Sequence, residues 1–305
     1  MKISRSSSNE TIGTMNAQAI NKDNKNGFQL NVGEKISQGT FSSTFKATIY
    51  PDRNLDFAEV AKVSLNKSPN SKYRMELKVL RQLHGNNYFP RLEFGIETKK
   101  YCYLVTEYGG ESLQTVAKRN RFELLSNENV VRLFSILHNA ISHLHAAGYF
   151  HRDVQASNVL LHLRDRRVHV KICDFGDSTE INAPERRRRS SILNIFNRPA
   201  LPPPYHESED HLQTAYLCLK LLLELPRIKR RNSLFAPPHI SQFNLPNLED
   251  EHDWMNLIWI RLVACYDQKS TDFEFIDTFL DRAIDGFSKE SALEYSMLSG
   301  KLTLD

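Results

Sequence analysis

Two short motifs near the middle of the chain constrain its fold more than any other feature. The first is His151-Arg152-Asp153 followed by Asn158, and the second is Asp174-Phe175-Gly176. Asp153 and Asp174 are 21 residues apart, and two strand-like runs, 159–163 and 168–173, lie between them. These runs predict a β-hairpin that brings the second motif back to the first. Either triplet alone is a weak sequence signal, whereas the two triplets together, in this order and at this spacing, are a strong one.

Residues 151–158 fit the catalytic-loop pattern of protein kinases, and residues 174–176 fit their metal-binding triplet. The chain therefore resembles the eukaryotic protein kinase superfamily. The resemblance implies that Asp153 orients the substrate hydroxyl and accepts its proton. It also implies that Asn158 and Asp174 bind Mg²⁺, and that ATP is the phosphoryl donor.

An upstream lysine and glutamate agree with this resemblance. Lys62 ends Glu59-Val60-Ala61-Lys62 in a strand-like run and resembles the third-strand lysine that contacts the α- and β-phosphates. Glu76 lies on the next predicted helix, where it is expected to pair with Lys62. Without the surrounding order of motifs, such a pair is more often a solvated ion pair of small energetic value.

A glycine-rich phosphate loop is recognisable in altered form between Ile36 and Ser42. Serine stands at the first and third glycine positions, Ser37 and Ser42, while Gly39 and the tip aromatic Phe41 remain. Serine disfavours the positive φ angles that are open to glycine. We expect a stiffer or displaced loop and weaker nucleotide binding, with Ser37, Gly39 and Phe41 among the nucleotide contacts.

The segment Leu104 to Gly110 resembles a kinase hinge. The backbone of Glu107 to Gly109 is expected to hydrogen-bond the adenine edge, and Thr106 falls at the gatekeeper position. Because threonine is small, the back of the adenine pocket is expected to be open.

The order of strand-like and helix-like patterns predicts an α+β, bilobal protein-kinase fold with a small β-rich N-lobe and a larger helical C-lobe. Alternating or β-branched runs predict strands at 28–36, 43–50, 57–64, 91–97 and 101–107. Apolar periodicity predicts helices at 73–84, 129–147, 209–225, 250–266 and 272–285. We place a disordered tail at 1–27, the kinase domain at 28–290 (lobes 28–108 and 109–290) and a C-terminal tail at 291–305.

Several segments resemble the casein kinase 1 family. Glu107 to Leu113 is similar to that family's hinge, and residues 271–279 are similar to the start of one of its C-lobe helices. Asp210 matches the helix aspartate that hydrogen-bonds the catalytic-loop backbone. The resemblance implies a serine/threonine kinase acting on protein substrates.

Gln155 departs from the serine/threonine kinase pattern, which has a lysine at this position. The lysine neutralises charge on the transferring phosphate, whereas a glutamine brings a hydrogen bond without charge. Two main hypotheses stay open. The chain is an active serine/threonine kinase that uses Gln155 in the catalytic loop, or it is a pseudokinase that binds nucleotide or serves as a scaffold. A small-molecule phosphotransferase of the same fold fits the hinge and the Asp-Phe-Gly triplet less well.

Composition and charge bound the possible partners. The formal net charge is +4, and the basic residues cluster at Arg186–Arg189 and Lys229–Arg231. These runs are either charged loops that face solvent or a surface that binds acidic or pre-phosphorylated protein substrates. Few aromatic residues interleave with them, so nucleic-acid binding is not favoured. Unpaired cysteines and the lack of a signal-peptide or membrane-spanning pattern predict a cytoplasmic or nuclear protein that does not enter a membrane.

Overall fold

A computed structural model describes residues 29–50, 59–66, 71–182, 205–223, 248 and 252–304. The chain divides into two compact units, unit 1 up to Gly109 and unit 2 from Gly110 onward. A β-rich unit 1 and a largely helical unit 2 confirm the predicted α+β fold. The predicted tail 1–27 and both basic runs lie outside the described residues, and the predicted domain limits stay predictions.

Unit 1 is built on one antiparallel sheet of five strands in the order β1-β2-β3-β5-β4. The strands are β1 (Gln29–Gln38), β2 (Ser42–Tyr50), β3 (Glu59–Leu65), β4 (Leu92–Glu97) and β5 (Tyr101–Glu107). The pairing Thr44↔Lys62↔Leu104 sets the register across the middle of the sheet. All five strands agree with the predicted runs within about two residues at each end.

The two faces of this sheet have different functions in packing. One face carries an apolar cluster that includes Phe45, Ala61 and Val105. Side chains alternate between faces along a strand, so Lys62 points to the opposite face. There α1 (Ser71–Gln82) packs closely on β4: a side chain at Gly95 would come within 2.6 Å of the Tyr73 hydroxyl.

Unit 2 is dominated by helices. They are α2 (Leu113–Ala117), α3 (Asn127–Ala146), α4 (Glu207–Leu222), α5 (Asp253–Gln268) and α6 (Glu274–Leu280). Serine caps α3, because the Ser126 hydroxyl accepts a hydrogen bond from the Asn129 amide at 3.3 Å. The central helices α3 and α4 bury most of their apolar residues against each other and against α5, which places both beside the catalytic-loop segment.

Short strands in unit 2 fix the two motifs. The predicted hairpin forms as β8 (Val159–Arg164) and β9 (Arg167–Ile172), with β6 (Glu111–Ser112) on the other side of β8. β7 (Tyr149–Phe150), just before the first motif, pairs with β10 (Thr179–Glu180), just after the second. Both motifs are therefore held between paired strands.

The C-terminal part departs from expectation in two places. The helix predicted over 272–285 ends at Leu280, and beyond it the amides of Arg282 and Ala283 donate three residues back, to the carbonyls of Phe279 and Leu280, in tighter turns. Within 291–305, β11 (Ser296–Leu298) and β12 (Lys301–Thr303) form a hairpin. The side chains of Arg119 and Asn120 hydrogen-bond the carbonyls of Leu302 and Leu304, which ties this hairpin to the end of α2.

Candidate functional site

In unit 1, the structure brings Lys62 and Glu76 together as the sequence predicted. Lys62 Nζ lies 2.7 Å from Glu76 Oε2, which joins β3 to α1. The glutamate side chain is only 7% exposed and the lysine side chain 23% exposed. Desolvation makes this pair sensitive to the loss of either partner, because an unpaired charge would be left in a poorly hydrated place. The pairing is confirmed, and the role of the pair stays a prediction.

The altered phosphate loop forms the β1–β2 hairpin of unit 1. The Gly39 amide donates to the Ser42 carbonyl at 2.8 Å and closes the turn. Ser37 lies in β1 opposite Thr44. Neither Ser37, Gly39 nor Ser42 is among the described residues with positive φ, so the serines cause no backbone strain here. Phe41 is 67% exposed at the tip of the hairpin.

The predicted hinge begins at the end of β5, whose last two residues are Thr106 and Glu107. The Thr106 hydroxyl donates to the Glu107 carbonyl at 3.2 Å, and the Glu107 amide donates to the Arg91 carbonyl at 2.9 Å. Gly109 is buried, but the stronger demand for glycine is at Gly110. Gly110 has a φ of +97°, and a Cβ there would lie 2.0 Å from the Leu161 carbonyl oxygen. The sequence pointed to the glycine pair without distinguishing these roles.

In unit 2, Asp153 stands at the centre of a compact group of side chains. Gln155 Nε2 donates to Asp153 Oδ2 at 2.7 Å, and Asn158 Nδ2 donates to the same oxygen at 3.0 Å. Asn158 Nδ2 also contacts the Asp153 carbonyl at 2.9 Å. Among the described residues, no donor contacts the other carboxylate oxygen, Oδ1. Two amides therefore orient the carboxylate and leave one oxygen open to an incoming hydrogen-bond donor.

Asp210 in α4 holds the backbone of the catalytic-loop segment from beneath. Its carboxylate accepts from the amides of His151 and Arg152, each at 2.8 Å, as the sequence predicted. It also accepts from the Tyr205 hydroxyl at 2.7 Å and contacts His145 Nε2 at 2.8 Å. Burial alone would raise the pKa of Asp210, but the hydrogen bonds and charge of these partners leave that pKa lowered.

The backbone around the two motifs is strained. Arg152 and Asp174 have φ angles of 72° and 69°, in the left-handed region that residues with side chains disfavour. Such conformations cost about 1–3 kcal/mol each and persist where neighbouring contacts determine them. Six other described residues with side chains also have positive φ, so such strain alone does not mark a site. Within the two motifs it falls on Arg152, which precedes the predicted catalytic aspartate, and on Asp174, the predicted metal ligand.

The second motif lies beside the first. The Cys173 amide donates to the Asn158 carbonyl at 2.9 Å, which places Asp174 next to Asn158. His151 Nε2 lies 3.2 Å from the Cys173 carbonyl, and its ring packs against buried Phe175 at 5.2 Å between centroids. The hairpin spacing thus produced the predicted convergence of Asp153, Asn158 and Asp174.

These residues fit a Mg²⁺ ion. Within the described ranges, no group of three His, Cys, Asp or Glu side chains is arranged to hold a metal by itself. Magnesium, however, is commonly held by one or two protein oxygens together with substrate phosphates. Because Asn158 Nδ2 is turned toward Asp153, its Oδ1 faces elsewhere, with a 3.4 Å contact from the Ser157 hydroxyl. Asn158 Oδ1 and the Asp174 carboxylate are the oxygen donors that such a site needs.

Two residues in this network were not found from the sequence. Tyr205 and Gln213 both reach the catalytic-loop backbone or its support, and neither belongs to a short motif. Nothing in the sequence next to Tyr205 or Gln213 indicates these contacts, because the contacts depend on how α4 packs against the catalytic-loop segment.

Comparison with known proteins agrees with this architecture. The family described as "Protein kinase domain" matches residues 30–197, which is more than half of the chain. The CBL-interacting protein kinase 11 of Oryza sativa subsp. japonica is 30% identical over 172 residues, covering 53% of this chain and 31% of that protein. The CTD kinase subunit alpha of Schizosaccharomyces pombe is 23% identical over 256 residues, covering 81% and 42%.

A solved structure shows the same fold. The Cydia pomonella granulovirus kinase PK-1 superposes with a TM-score of 0.61 at 17% identity, over 82% of this chain and 94% of that one. The chain belongs to the protein kinase domain family. It spans less than half of the length of the two curated relatives described above. Members of this family in general use ATP and Mg²⁺ and act on protein substrates.

Proposed function

We propose that this chain is a protein serine/threonine kinase that transfers the γ-phosphoryl group of ATP to protein hydroxyls. The observation that carries the proposal is the geometry of Asp153. Two amide side chains, Gln155 and Asn158, fix one carboxylate oxygen, at 2.7 and 3.0 Å. The other oxygen is left to receive the proton of a substrate hydroxyl, which is the role of a general base.

Asn158 and Asp174 supply the oxygens that would hold Mg²⁺, as their adjacent positions support. Bound Mg²⁺ neutralises charge on the nucleotide phosphates. Lys62, held by Glu76 at 2.7 Å, supplies a positive charge for the α- and β-phosphates. Ser37, Gly39, Phe41, Thr106, Glu107 and Gly109 are proposed to contact the nucleotide.

The choice of branch is also a proposal. The hinge-like segment 107–113 and the segment 271–279 favour a casein kinase 1-like serine/threonine kinase. The sequence also has an Ala183-Pro184-Glu185 triplet outside the described residues, and this triplet counts against that assignment. Gln155 matches neither the lysine of serine/threonine kinases nor the arginine-bearing loop of tyrosine kinases.

A pseudokinase is the second candidate, and Gln155 favours it. The neutral amide donates to Asp153 and brings no positive charge to a transferring phosphate. In that case the chain would bind nucleotide or a partner protein without turnover.

Radiolabelled phosphate transfer to casein with Mg²⁺ and ATP separates the two candidates. We expect wild type to transfer phosphate and Asp153→Asn to be slower by roughly 10²–10⁴-fold. If wild type matches Asp153→Asn while both bind nucleotide, the pseudokinase function replaces the kinase function. Phosphoamino-acid analysis of the product tests serine/threonine against tyrosine specificity.

Substrate preference and location are further expectations. Arg186–Arg189 and Lys229–Arg231 are proposed to favour acidic or pre-phosphorylated protein substrates in the cytoplasm or nucleus. No helix in the described part of the chain is long and apolar enough to cross a membrane. Replacing Arg186–Arg189 by alanine should raise the KM for a phospho-primed peptide, and an unchanged KM would remove these arginines from substrate recognition.

A further inference from the structure

We propose that Gln213 is a positioning residue that fixes the backbone on both sides of Asp153, and that Tyr205 acts through it. The inference rests on the proposed kinase function for its effect on rate. It concerns residues that no sequence motif marks and that lie on α4 or just before it. The contacts that carry it all lie within unit 2.

Gln213 bridges three groups around the catalytic-loop segment. Its Oε1 accepts from the buried Val154 amide at 2.7 Å. Its Nε2 donates to the Tyr205 hydroxyl at 2.9 Å and lies 3.5 Å from the Arg152 carbonyl. The side chain therefore contacts the residues immediately before and after Asp153, while it is itself only 9% exposed.

The surrounding chemistry allows one orientation of this amide. The Val154 N–H can only donate, so it requires the glutamine oxygen. The Arg152 carbonyl can only accept, so it requires the glutamine nitrogen. The Tyr205 hydroxyl donates to Asp210 Oδ1 at 2.7 Å, which leaves its lone pairs to accept from Gln213. Donors and acceptors thus alternate from Gln213 through Tyr205 to Asp210.

Tyr205 is well placed to support this orientation. Its ring packs against Phe150 at 5.2 Å between centroids and lies 5.1 Å from the Arg152 guanidinium carbon. Burial and the charge of Asp210 raise the pKa of Tyr205, so the hydroxyl keeps its proton and continues to donate. Removing the hydroxyl would leave the ring contacts in place and take away one partner of the Gln213 nitrogen.

Gln213 and Asp210 hold different parts of the loop. Asp210 holds the amides of His151 and Arg152, before Asp153, whereas Gln213 holds the amide of Val154, after it. Without Gln213, the Val154 amide would lose its acceptor, and the backbone after Asp153 would be held by the contact of Asn158 Nδ2 with the Asp153 carbonyl. A displacement of about 1 Å at a reacting group can slow a reaction by about 10²-fold.

The test compares Gln213→Met, which keeps length and removes both polar groups, with Thr214→Val on the same buried turn. Thr214 Oγ1 donates to the Asp210 carbonyl at 3.0 Å within α4 and does not contact the loop. We expect kcat for casein phosphorylation to fall about 10–100-fold in Gln213→Met with an unchanged KM for ATP. Thr214→Val should keep kcat. Equal losses of kcat in the two variants would overturn the positioning role.

Tyr205→Phe and the double variant test the path of the effect. If Tyr205 acts through Gln213, Tyr205→Phe lowers kcat less than Gln213→Met, and the double variant is no slower than Gln213→Met. Additive losses would show that Tyr205 acts on Asp210 alone and would overturn the second part of the proposal.

Amide hydrogen exchange of residues 151–158 decides the inference separately from the kinase function. Faster exchange in Gln213→Met than in Thr214→Val supports the positioning role, even if wild type transfers no phosphate and the proposed function fails. The same exchange in both variants would refute positioning, even if wild type is an active kinase.

Discussion

Unit 1 and unit 2 hold their candidate functional groups by different physical means. In unit 1, Lys62 is held by a direct 2.7 Å contact between opposite charges on β3 and α1. In unit 2, Asp153 is held by neighbouring amides, and its backbone is held in turn by Asp210 and Gln213. The first arrangement depends on one pair of long side chains, and the second is a buried network.

This difference predicts how substitutions in each unit should affect stability and rate. A charge pair fixes one side chain and has little influence on the surrounding backbone. A buried network determines backbone conformation, including the left-handed Arg152, so removing its central member should disturb stability as well as rate.

Asp210→Asn should give the largest effect, because it removes the charge at the centre of the network. The amide nitrogen would face either the Arg152 amide or the His151 amide and leave a buried donor without a partner. We expect the free energy of unfolding to fall by about 3–5 kcal/mol, as measured by urea denaturation. A loss similar to that of a surface substitution would show that the network is not the main support of the loop.

His138→Gln tests how the stability of unit 2 depends on pH, since a buried histidine pair lies beside the network in this unit. His138 Nδ1 lies 3.2 Å from His211 Nδ1. Burial lowers the pKa of His138 to about 4, against opposing attraction from Asp277, and Lys289 and His145 lower it further. Burial and the other two histidines also lower the pKa of His211.

The sign of the pH effect follows from these shifts. As the pH falls below about 6.5, the unfolded chain binds a proton at His138 that the folded chain binds only near pH 4. The contribution of neutral His138 to the free energy of unfolding is therefore fully present above pH 6.5. It is lost as the pH falls toward 4, by about 3 kcal/mol. Glutamine keeps a hydrogen-bonding group without titrating, so His138→Gln should make the unfolding free energy depend less steeply on pH between 4.5 and 6.5, while buried His211 keeps part of the slope. An unchanged slope would contradict the assignment.

Glu76→Gln should separate rate from stability in unit 1. The amide oxygen still accepts a hydrogen bond from Lys62, and the lysine side chain is 23% exposed and so partly hydrated. The unfolding free energy should therefore fall by about 1–2 kcal/mol, less than in Asp210→Asn. Phosphate transfer should slow by roughly 10–100-fold, because the ammonium is less firmly placed. Glu93→Gln, which alters the more exposed pair with Arg91, serves as the matched control and should change neither quantity. A stability loss as large as that of Asp210→Asn would remove the distinction between the units.

The sequence predicted the elements of this comparison unevenly. Lys62, Glu76, Asp153, Asn158 and Asp174 were found because phosphoryl-transfer motifs keep local spacing. The histidine pair, Tyr205 and Gln213 were not found, because their contacts join segments about 60 or more residues apart or depend on helix packing. The C-terminal hairpin was missed because its strands are three residues long and are held by side chains of Arg119 and Asn120.

Gln155→Lys should give the smallest effect, and it tests whether missing positive charge at this position limits the rate. Gln155 Nε2 already donates to Asp153 Oδ2 at 2.7 Å, so a lysine ammonium would replace that bond and add a positive charge beside the carboxylate. If wild type is a kinase limited by missing charge, kcat for casein should rise by about tenfold with an unchanged KM for ATP. Gln155→Met, which has neither charge nor donor, is the matched control and should lower kcat, because Asp153 loses one of the two amides that orient it. A Gln155→Lys variant no faster than wild type would mean that the amide orients Asp153 as well as an ammonium does. Charge at this position would then not limit the rate, and the difference between the two units would lie in how the groups are held rather than in which charges they carry.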